Sequence, residues 1–477
     1  MKLLLTIFSL LLIYSCISKS QAKSNQKTPI EKSISIDSLN INKYISYNES
    51  LMAFINATVI DGTGNDIKIN QTVIIEDGIF KLVGESNKVS IPAGATVLDL
   101  NGKTIIPGIV GLHNHLHIPG YPYIGDVASK LYFASGLTTI QTCGAASPFR
   151  EIELSKQIEN QEKIGPDIIT SAPYITGPGG SSAMIIPRDE QHIRDTLKFW
   201  INKGVKWFKV YRHTRPRDLK VIVKQAHKYN AKVTGHFCSI TFEEAIGMGV
   251  DGIEHGLNSA ADFRTNKVFG ECSGGRSYMD DLEISSDEVL QLHRLMIDNG
   301  VFLNSTLSIY ESGIPERAFA DDRTLKAMSP ALIRQYKERI KGYKESVSVI
   351  DKVARLKRIM AFEYQFFQMG GLLGAGVDPG RHNLPGYGDQ RNYELFIEAG
   401  FTTEEAIEIM TGNGAKILGK ENIGAIANGK RADFVILEGD LKRDCSVIRN
   451  VEFVFKKGVG YNPDLIIEET NGQLGIN

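Results

Sequence analysis

The 477-residue sequence predicts an α/β protein: a (β/α)8 TIM-type barrel with a small β-sandwich domain formed from both chain ends. Two observations predict this fold. Eight apolar, strand-like runs alternate with helical stretches through the middle of the chain, which is the expected content of such a barrel. Short strands separated by tight turns occupy the sequence on either side. The length also exceeds the size at which one hydrophobic core usually stops growing, so we expect more than one domain.

The first β-rich segment covers residues 51–104, where short alternating strands are separated by turns. Asp77-Gly78 and Asn101-Gly102 are strong turn signals in this segment. A similar pattern returns at residues 421–470, which contain two strand-like runs and the turn Lys457-Gly458. Neither segment alone is long enough for a sandwich. We therefore expect the two segments to combine into one small β domain.

The barrel is predicted at residues 105–420, because this region repeats a strand followed by a helix. The eight strand-like runs are residues 105–115, 137–143, 167–173, 205–211, 231–237, 252–256, 301–307 and 372–378. Several intervening helices open with a capping box, in which Thr or Ser is followed three residues later by Glu. These pairs are Thr241 with Glu244, Ser285 with Glu288, and Thr402 with Glu405. Two connections, residues 258–284 and 310–369, are unusually long and form either a lid or additional packing.

The N-terminal residues 1–16 are predicted to be a lipoprotein signal peptide. A charged start is followed by an apolar run that is too short to span a bilayer permanently. The run ends at Ile13-Tyr14-Ser15-Cys16, which resembles a bacterial lipobox with lipidation at Cys16, although Tyr14 departs from that pattern. A plain secretory signal is the alternative. We expect an exported protein, anchored by lipid on the periplasmic or cell-surface side, with a polar flexible linker at residues 17–50.

The composition favours small molecules or short peptides as partners. The formal net charge is -1 and no basic tract is present, which gives no reason to expect nucleic acid. Membrane contact is expected through the N-terminal lipid alone, and self-association into a homo-oligomer is left open. The remaining cysteines lack metal-binding spacing and are predicted to be buried or free thiols, although export would permit a disulfide. They are Cys143, Cys238, Cys272 and Cys445.

Polar side chains occur at several predicted strand ends, which meet at one mouth in a barrel. They are His113, His115, Lys209, His236, His255 and Asp378. His113 and His115 alternate with Asn114 and therefore point to the same side of a strand. One strand histidine alone is more often a hydrogen-bonded core residue, and Lys209 alone could extend its amine to the barrel rim. Together these groups would be costly to bury without partners, and a metal site accounts for all of them.

Six motifs stand out along the chain: IPGIVGLHNH at 106–115, GVKWFKVY at 204–211, GIEHG at 252–256, GAGVD at 374–378, AGFT at 399–402 and GKRAD at 429–433. With these motifs, residues 51–460 resemble the amidohydrolase superfamily, in the branch that includes imidazolonepropionase-like enzymes and Xaa-Pro dipeptidases. The family usually has an aspartate two residues before the first histidine, where this chain has Gly111. That position is not usually a metal ligand.

The resemblance implies a site with two divalent metal ions, expected to be zinc. His113, His115 and Asp378 would hold one ion, and His236 and His255 the other. Lys209, carboxylated by CO2, would bridge them, because the carbamate is an anionic ligand with two oxygens whereas a bare ammonium cannot bind a cation. The metals would acidify a bridging water to a hydroxide that attacks an amide, with Asp378 as the catalytic proton shuttle.

The expected reaction is hydrolysis of an amide C–N bond, first in a peptide or dipeptide and second in a cyclic amide. Heterocycle deamination is an alternative, although deaminases typically lack the bridging lysine and carry a glutamate soon after the strand-five histidine. A lipoprotein that only binds solute is another alternative. Candidate substrate contacts lie just beyond strands four and eight; they are Tyr211, Arg212, His213, Arg381 and His382. The glycine-rich stretch 177–182 is interpreted as a mobile substrate loop, and His117 as a loop residue away from the metals.

Replacing Cys16 by Ala tests the lipid anchor. The variant should lose lipid labelling and membrane association while its catalytic domain stays active in the soluble fraction. Palmitate labelling and membrane fractionation measure this, with Ser18→Ala as a control that leaves the cysteine intact. Membrane retention of the Cys16→Ala protein would contradict the lipobox interpretation.

Overall fold

The computed structural model describes residues 41–118, 121–317, 319–346 and 350–475. The predicted signal peptide, Cys16 and residues 17–40 of the predicted linker lie outside the described residues. Within the described part of the chain, no helix is long and apolar enough to cross a membrane.

Strands from both chain ends and from the central repeat make up the sheets. They are β1 (Ile45–Tyr47), β2 (Leu51–Val59), β3 (Lys68–Glu76), β4 (Ile79–Glu85), β5 (Thr96–Asp99), β6 (Thr104–Pro107), β7 (Ile109–Asn114), β8 (Leu137–Thr142), β9 (Asp167–Ile169), β10 (Trp207–Val210), β11 (Lys232–Gly235), β12 (Gly252–Glu254), β13 (Phe302–Ser305), β14 (Leu373–Ala375), β15 (Phe434–Leu437), β16 (Val451–Lys456) and β17 (Val459–Tyr461).

Helices follow most of the central strands. They are α1 (Gly125–Ala134), α2 (Pro148–Glu159), α3 (Glu190–Asn202), α4 (Pro216–His227), α5 (Phe242–Gly247), α6 (Tyr278–Asp281), α7 (Asp287–Asp298), α8 (Leu307–Glu311), α9 (Asp322–Ala327), α10 (Pro330–Glu345), α11 (Lys352–Gln368), α12 (Tyr387–Ala399), α13 (Thr403–Glu408), α14 (Gly414–Leu418) and α15 (Pro463–Glu468). Short 3-10 helices cover Ile41–Tyr44, Gly256–Ser259 and Cys445–Arg449, and a π-helix covers Ile409–Asn413.

The two chain ends form one mostly antiparallel sheet, in the order β1-β17-β16-β15-β6-β2-β3-β4, with β5 beside β2. Aromatic rings from both ends fill its core. Phe434 stacks on Phe455 with ring centroids 4.4 Å apart, and Phe54 meets each of them edge-on at 5.1 Å. Neither end can bury these rings without the other, which is why the two β-rich segments combine as predicted.

The linker prediction extends too far into the chain. Residues 41–50 begin with a 3-10 helix and strand β1, and β1 pairs antiparallel with β17. Tyr44 is only 3% exposed. Ile41, Tyr44 and Ile45 pack into an apolar cluster, so residues 41–47 are folded rather than flexible.

The central strands are parallel and form two ladders, β7-β8-β9 and β10-β11-β12-β13-β14. Backbone hydrogen bonds join the ladders on both sides. The amides of Ala172 and Ile175 donate to the carbonyls of Trp207 and Lys209 at 2.9 and 3.0 Å, and the amide of Asp378 donates to the carbonyl of His113 at 2.8 Å. These contacts support the predicted (β/α)8 arrangement of eight parallel strands.

The predicted first barrel strand, residues 105–115, is two strands. It breaks at Pro107-Gly108, so that β6 pairs with β15 of the terminal sheet and β7 enters the barrel. An added Cβ at Gly108 would lie 2.1 Å from Oγ1 of Thr138. Glycine therefore permits the close approach at the break. An unbroken apolar run could not indicate this division, because both halves are buried.

Two of the three predicted capping boxes are confirmed, at Thr241 and Thr402. The third is wrong. Helix α7 has Ser286 as its N-cap, and the hydroxyl of Ser285 instead donates to Glu283 at 2.6 Å. Because Ser285 and Ser286 are adjacent, the sequence placed the start of the helix one residue too early, which is a common error at helix ends.

The prediction that the cysteines are thiols is wrong for Cys238 and Cys272, which form a disulfide. Cys238 follows strand β11, and Cys272 lies 34 residues later in the long connection 258–284. This connection folds back over the end of strand β11, a tertiary contact that the spacing of the cysteines does not reveal. Cys143 and Cys445 are free.

Candidate metal centre

The candidate ligands lie at the carboxyl ends of five parallel strands. His113 and His115 are at the end of β7, Lys209 is in β10, and His236 and His255 directly follow β11 and β12. Asp378 comes three residues after β14. Because the strands are parallel, their carboxyl ends meet at the same face. The fold thus brings these groups from distant parts of the sequence into one buried cluster.

The Asp378 carboxylate lies among three of the imidazoles. Its Oδ1 is 3.2 Å from Nε2 of His115 and 3.8 Å from Nε2 of His113. Its Oδ2 is 3.8 Å from Nδ1 of His255. The ring of His255 is also 4.5 Å from those of His113 and His236, measured between centroids. All four histidines are therefore in one group with the aspartate.

Protein groups hold one nitrogen of three of these rings. Nδ1 of His113 is 2.7 Å from the Glu254 carboxylate, and Nδ1 of His255 is 3.0 Å from the Thr306 hydroxyl. The phenol of Tyr174 is 3.2 Å from Nδ1 of His115. A fixed Nδ1 orients the ring, as the outer groups of metal sites do. The Glu254 carboxylate can only accept a hydrogen bond, so it also keeps the proton of His113 on Nδ1.

Glu254, Thr306 and Tyr174 were not among the residues predicted from the sequence. The sequence held one indication that Glu254 belongs to the site, because Glu254 directly precedes His255 in the GIEHG motif. Its side chain nevertheless reaches a histidine that lies 141 residues earlier in the chain. Such partners are visible only in the tertiary structure.

Lys209 is 1% exposed, an unusual environment for an ammonium group. Its Nζ lies 3.1 Å from Sγ of Cys143 and 3.4 Å from Nε2 of His113. Burial alone would raise the pKa of Glu254, but Lys209 and His113 lower it to about 2. Glu254 is thus negatively charged throughout the neutral pH range. Burial raises the pKa of the Cys143 thiol well above its usual value, so that thiol remains neutral.

Three of the histidines, His113, His236 and His255, are held in their neutral form. Burial lowers the pKa of His113, His236 and His255, and neighbouring cations lower it further. A neutral imidazole has a nitrogen lone pair available for a metal ion. Burial would raise the pKa of Asp378, but the adjacent imidazoles hold it well below its usual range. The cluster thus presents neutral nitrogens and an ionised carboxylate.

One atom of the cluster lacks a hydrogen-bond partner within the described part of the chain. Nδ1 of His236 is buried and unpaired. Ligand atoms of His113, His255 and Asp378 also lie within 4.8 Å of one another, close enough to share a single ion. Nitrogen and carboxylate donors of this kind suit zinc and similar divalent cations. The residues present therefore fit a metal site.

Two of the candidate ligands have a left-handed backbone, with φ of 72° at His255 and 43° at Asp378. This conformation is uncommon for residues other than glycine and costs roughly 1–3 kcal/mol at each position. Both residues lie just past a strand end, where the chain turns. The strain turns these side chains toward the cluster instead of along the strand.

Residues 104–460 match the model of the Amidohydrolase family, which is more than half of the chain. The protein belongs to the amidohydrolase family. The resemblance seen in the sequence motifs is thereby confirmed.

Solved structures share the fold of this amidohydrolase. A proposed prolidase from Bifidobacterium longum is 24% identical with a TM-score of 0.65, and covers 88% of this chain and 99% of its own. A Xaa-Pro dipeptidase with bound methionine in its active site is 19% identical with a TM-score of 0.63. The match covers 87% of this chain and 100% of that chain.

A shorter match is found in sequence alone. A dihydroorotase from Trichlorobacter lovleyi is 36% identical over 70 residues, only 14% of this chain and 16% of that enzyme.

Of the predicted substrate contacts beyond strand four, Tyr211 borders this amidohydrolase's cluster, while Arg212 and His213 have other neighbours. The ring of Tyr211 lies 4.9 Å from that of His236. The guanidinium of Arg212 contacts both sulfurs of the disulfide, at 3.9 Å to Cys238 and 3.7 Å to Cys272. His213 lies beside the glycine-rich stretch, where an added Cβ at Gly177 would be 1.9 Å from the carbonyl oxygen of His213.

The predicted contacts beyond strand eight have other neighbours. The guanidinium of Arg381 donates to the carbonyl of Ile309 at 3.2 Å and to the Ser312 hydroxyl at 3.3 Å, which ties it to helix α8. The ring of His382 lies 5.2 Å from that of Tyr336 in helix α10. His117 uses both ring nitrogens on Ser147 and Tyr121, in keeping with a position in the loop.

Replacing Glu254 by Gln tests whether this carboxylate orients His113. The change removes the acceptor that holds Nδ1 of His113, and the affinity for zinc should fall roughly 10- to 100-fold. Zinc retained against a graded chelator, measured by elemental analysis, gives the affinity independently of turnover.

Glu363→Gln is the matched control. Glu363 is also fully buried, but burial raises its pKa to about 8, so this carboxyl is mostly protonated at neutral pH and an amide resembles it. The control should bind zinc as the wild type does. Equal zinc affinities for Glu254→Gln and the wild type would contradict an orienting role for Glu254.

Proposed function

We propose that this chain hydrolyses an amide C–N bond in a short peptide, foremost a dipeptide, with the help of two divalent cations, most suitably zinc. One observation carries the proposal. The Asp378 carboxylate lies within 3.8 Å of nitrogens of three buried histidines, and Nδ1 of His236, buried beside them, has no partner among the described residues. Without a cation, this set of polar groups would be costly to bury.

We assign His113, His115 and Asp378 to one cation, His236 and His255 to the other, and Lys209 to both. When bound, the cations supply a Lewis acid for the substrate carbonyl and lower the pKa of water. Asp378 accepts a proton at a carboxylate oxygen from the attacking water and returns it to the leaving nitrogen. Glu254 keeps the proton of His113 on Nδ1, which leaves Nε2 free as a ligand.

We further propose that Lys209 is carboxylated by CO2. An ammonium group at this place would repel a cation, whereas a carbamate offers two oxygens. Carboxylation removes the positive charge of Lys209. The cations would then replace the ammonium as the positive charges that balance Glu254 and Asp378. The neutral thiol of Cys143, 3.1 Å from Nζ, adds no competing charge.

Similar proteins favour a dipeptide as the substrate. The similar structures include a Xaa-Pro dipeptidase, which favours a dipeptide. The short dihydroorotase-like stretch favours a cyclic amide as the second candidate. Deamination is disfavoured by the presence of Lys209 and by the Phe237-Cys238 pair that follows His236. We also propose that the enzyme is exported and anchored through Cys16.

A substrate panel tests the reaction. The purified protein should contain about two divalent ions per chain, lose activity with a strong chelator, and regain it with zinc. Dipeptides, a cyclic amide and an aminated heterocycle should be compared, with hydrolysis of a dipeptide as the expected result. Full activity without metal would contradict the mechanism, and release of ammonia from the heterocycle alone would favour deamination.

Lys209→Ala tests the bridging ligand. The variant should lose most of its activity and part of its metal, and added short carboxylic acids should partly restore both by supplying two oxygens. Lys209→Arg should not restore either, because guanidinium stays cationic and forms no carbamate. Turnover and metal content measure the outcome. Near wild-type values for either variant would mean that Lys209 is a structural lysine.

A further inference from the structure

Helix α10 buries none of its side chains, unlike every other α-helix among the described residues. It has 16 residues and lies in the long connection 310–369 after strand β13. Most of the stability of a helix in a protein comes from packing of an apolar face rather than from its own hydrogen bonds. Helix α10 therefore lacks a contact that helices of this length usually have.

The apolar side chains of α10 recur at helical spacing and form one stripe, partly exposed along its length. They are Leu332, Ile333, Tyr336, Ile340 and Tyr343. The first three pack against an apolar cluster that includes Met328 and Leu474. Ile340 and Tyr343 belong to none of the apolar clusters in the described part of the chain. The stripe is thus covered near the start of the helix and uncovered near its end.

A row of exposed cations lies beside this stripe. Its members are three or four residues apart and therefore share one face of the helix. They are Arg334, Lys337, Lys341 and Lys344. With Arg339, α10 has five basic residues against Glu338 and Glu345, a net charge of +3 in a chain whose formal net charge is -1. Only Lys341 of the row has an acidic partner among the described residues, Glu345 at 3.8 Å.

The cations alone would indicate nothing more than a solvated face. Helix α4 also has an exposed row of lysines, but it buries a full apolar face under them. Helix α10 combines its cations with an uncovered apolar stripe. This combination is typical of helices that lie in a membrane interface, where apolar side chains enter the acyl boundary and cations meet anionic headgroups. Tyrosine is common at the same depth.

The N-terminal segment enters the fold close to the start of α10. Lys43 forms an ion pair with Glu469, which directly follows helix α15. Five residues later, the carbonyl of Leu474 accepts a hydrogen bond at 2.9 Å from the amide of Ser329, the N-cap of α10. Five residues span at most about 18 Å. The entry point of the chain and the start of the basic helix therefore lie at one edge of the protein.

This edge would face a membrane if the chain is anchored at Cys16. Cys16 lies 25 residues before Ile41. A chain of that length spans at most about 90 Å. The anchor would thus keep a bilayer within reach of α10, and no other partner is held so near to this edge.

We propose that helix α10 lies on the membrane that holds the anchor, with Ile340 and Tyr343 toward the acyl chains and the row of cations on anionic phospholipid headgroups. The proposal goes beyond amide hydrolysis and rests on the proposed anchor at Cys16. The sequence led us to expect membrane contact through the lipid alone. Cations alternate with apolar and acidic residues in the sequence of α10 and gather on one face only when the helix forms.

Vesicle binding tests this contact. The full-length Cys16→Ala protein should be used, because it carries no lipid anchor. We expect it to bind phosphatidylcholine vesicles that contain phosphatidylglycerol at least tenfold more tightly than pure phosphatidylcholine vesicles, at an ionic strength of about 0.05 M. The preference should disappear at about 0.5 M, because salt screens exposed charges. At the salt concentration of cells the contact is weak without the anchor, in keeping with the release expected for Cys16→Ala.

Two triple variants of the same protein locate the contact. Replacing Lys337, Lys341 and Lys344 by Gln should weaken binding to the anionic vesicles at least tenfold, because each lysine near an anionic surface strengthens binding several-fold. The matched control replaces the exposed lysines of the α4 row by Gln, which removes the same charge; they are Lys220, Lys224 and Lys228. The control should bind as the parent does. Ile340→Ser should also weaken binding, since it removes part of the uncovered stripe.

Two results would overturn the proposal: no preference for anionic vesicles, or equal binding by the two triple variants. A dimer that the α10 variant dissociates, with vesicle binding unchanged, would show that a second copy covers this helix instead. Failure of the anchor is distinguishable, because it appears as absent lipid labelling of the wild-type protein. Vesicle binding by α10 is measured without the anchor, and neither assay depends on amide hydrolysis.

Discussion

The hydrogen bond from the amide of Asp378 to the carbonyl of His113, at 2.8 Å, joins the last central strand to the first. The geometry of the candidate site depends on it. His113 and Asp378 are separated by most of the barrel sequence, yet this contact brings their side chains together. Without closure, the strand ends would fan apart along an open sheet, as the ends of a twisted sheet do. The barrel thus brings together the strand ends on which the separate motifs lie.

Burial then sets the chemistry of the cluster. Removing charged groups from water is costly, so His113, His236 and His255 are neutral and the remaining charges lie close to groups of opposite sign. Glu254 contacts His113 and offsets the charge of Lys209, while Asp378 is surrounded by imidazoles. Strained backbone at His255 and Asp378 adds a further cost. Strain and buried polarity in one place are more typical of a functional site than of a structural core.

The long connections between the strands add further groups to this arrangement. The barrel positions the cluster, but residues 258–284 add arginines and a disulfide at its edge. Loops on a rigid scaffold commonly carry specificity for this reason, since they can change without disturbing the strands. The candidate metal ligands and the disulfide are therefore supplied by different parts of the fold.

The sequence alone was sufficient for the fold class and the family, because strand–helix alternation and motifs such as GIEHG are local patterns. The sequence also identified the six candidate ligands, because the pattern locates the predicted strands and therefore the residues at or near their ends. Contacts across the barrel were decided by the tertiary structure alone. Three features show this: the Glu254–His113 pair, the Cys238–Cys272 disulfide and the break at Pro107-Gly108. The local sequence pattern indicates neither the two contacts nor the break. Which buried side chain meets which depends on strand register and on the folding of long connections, and these are set by packing between segments far apart in the chain.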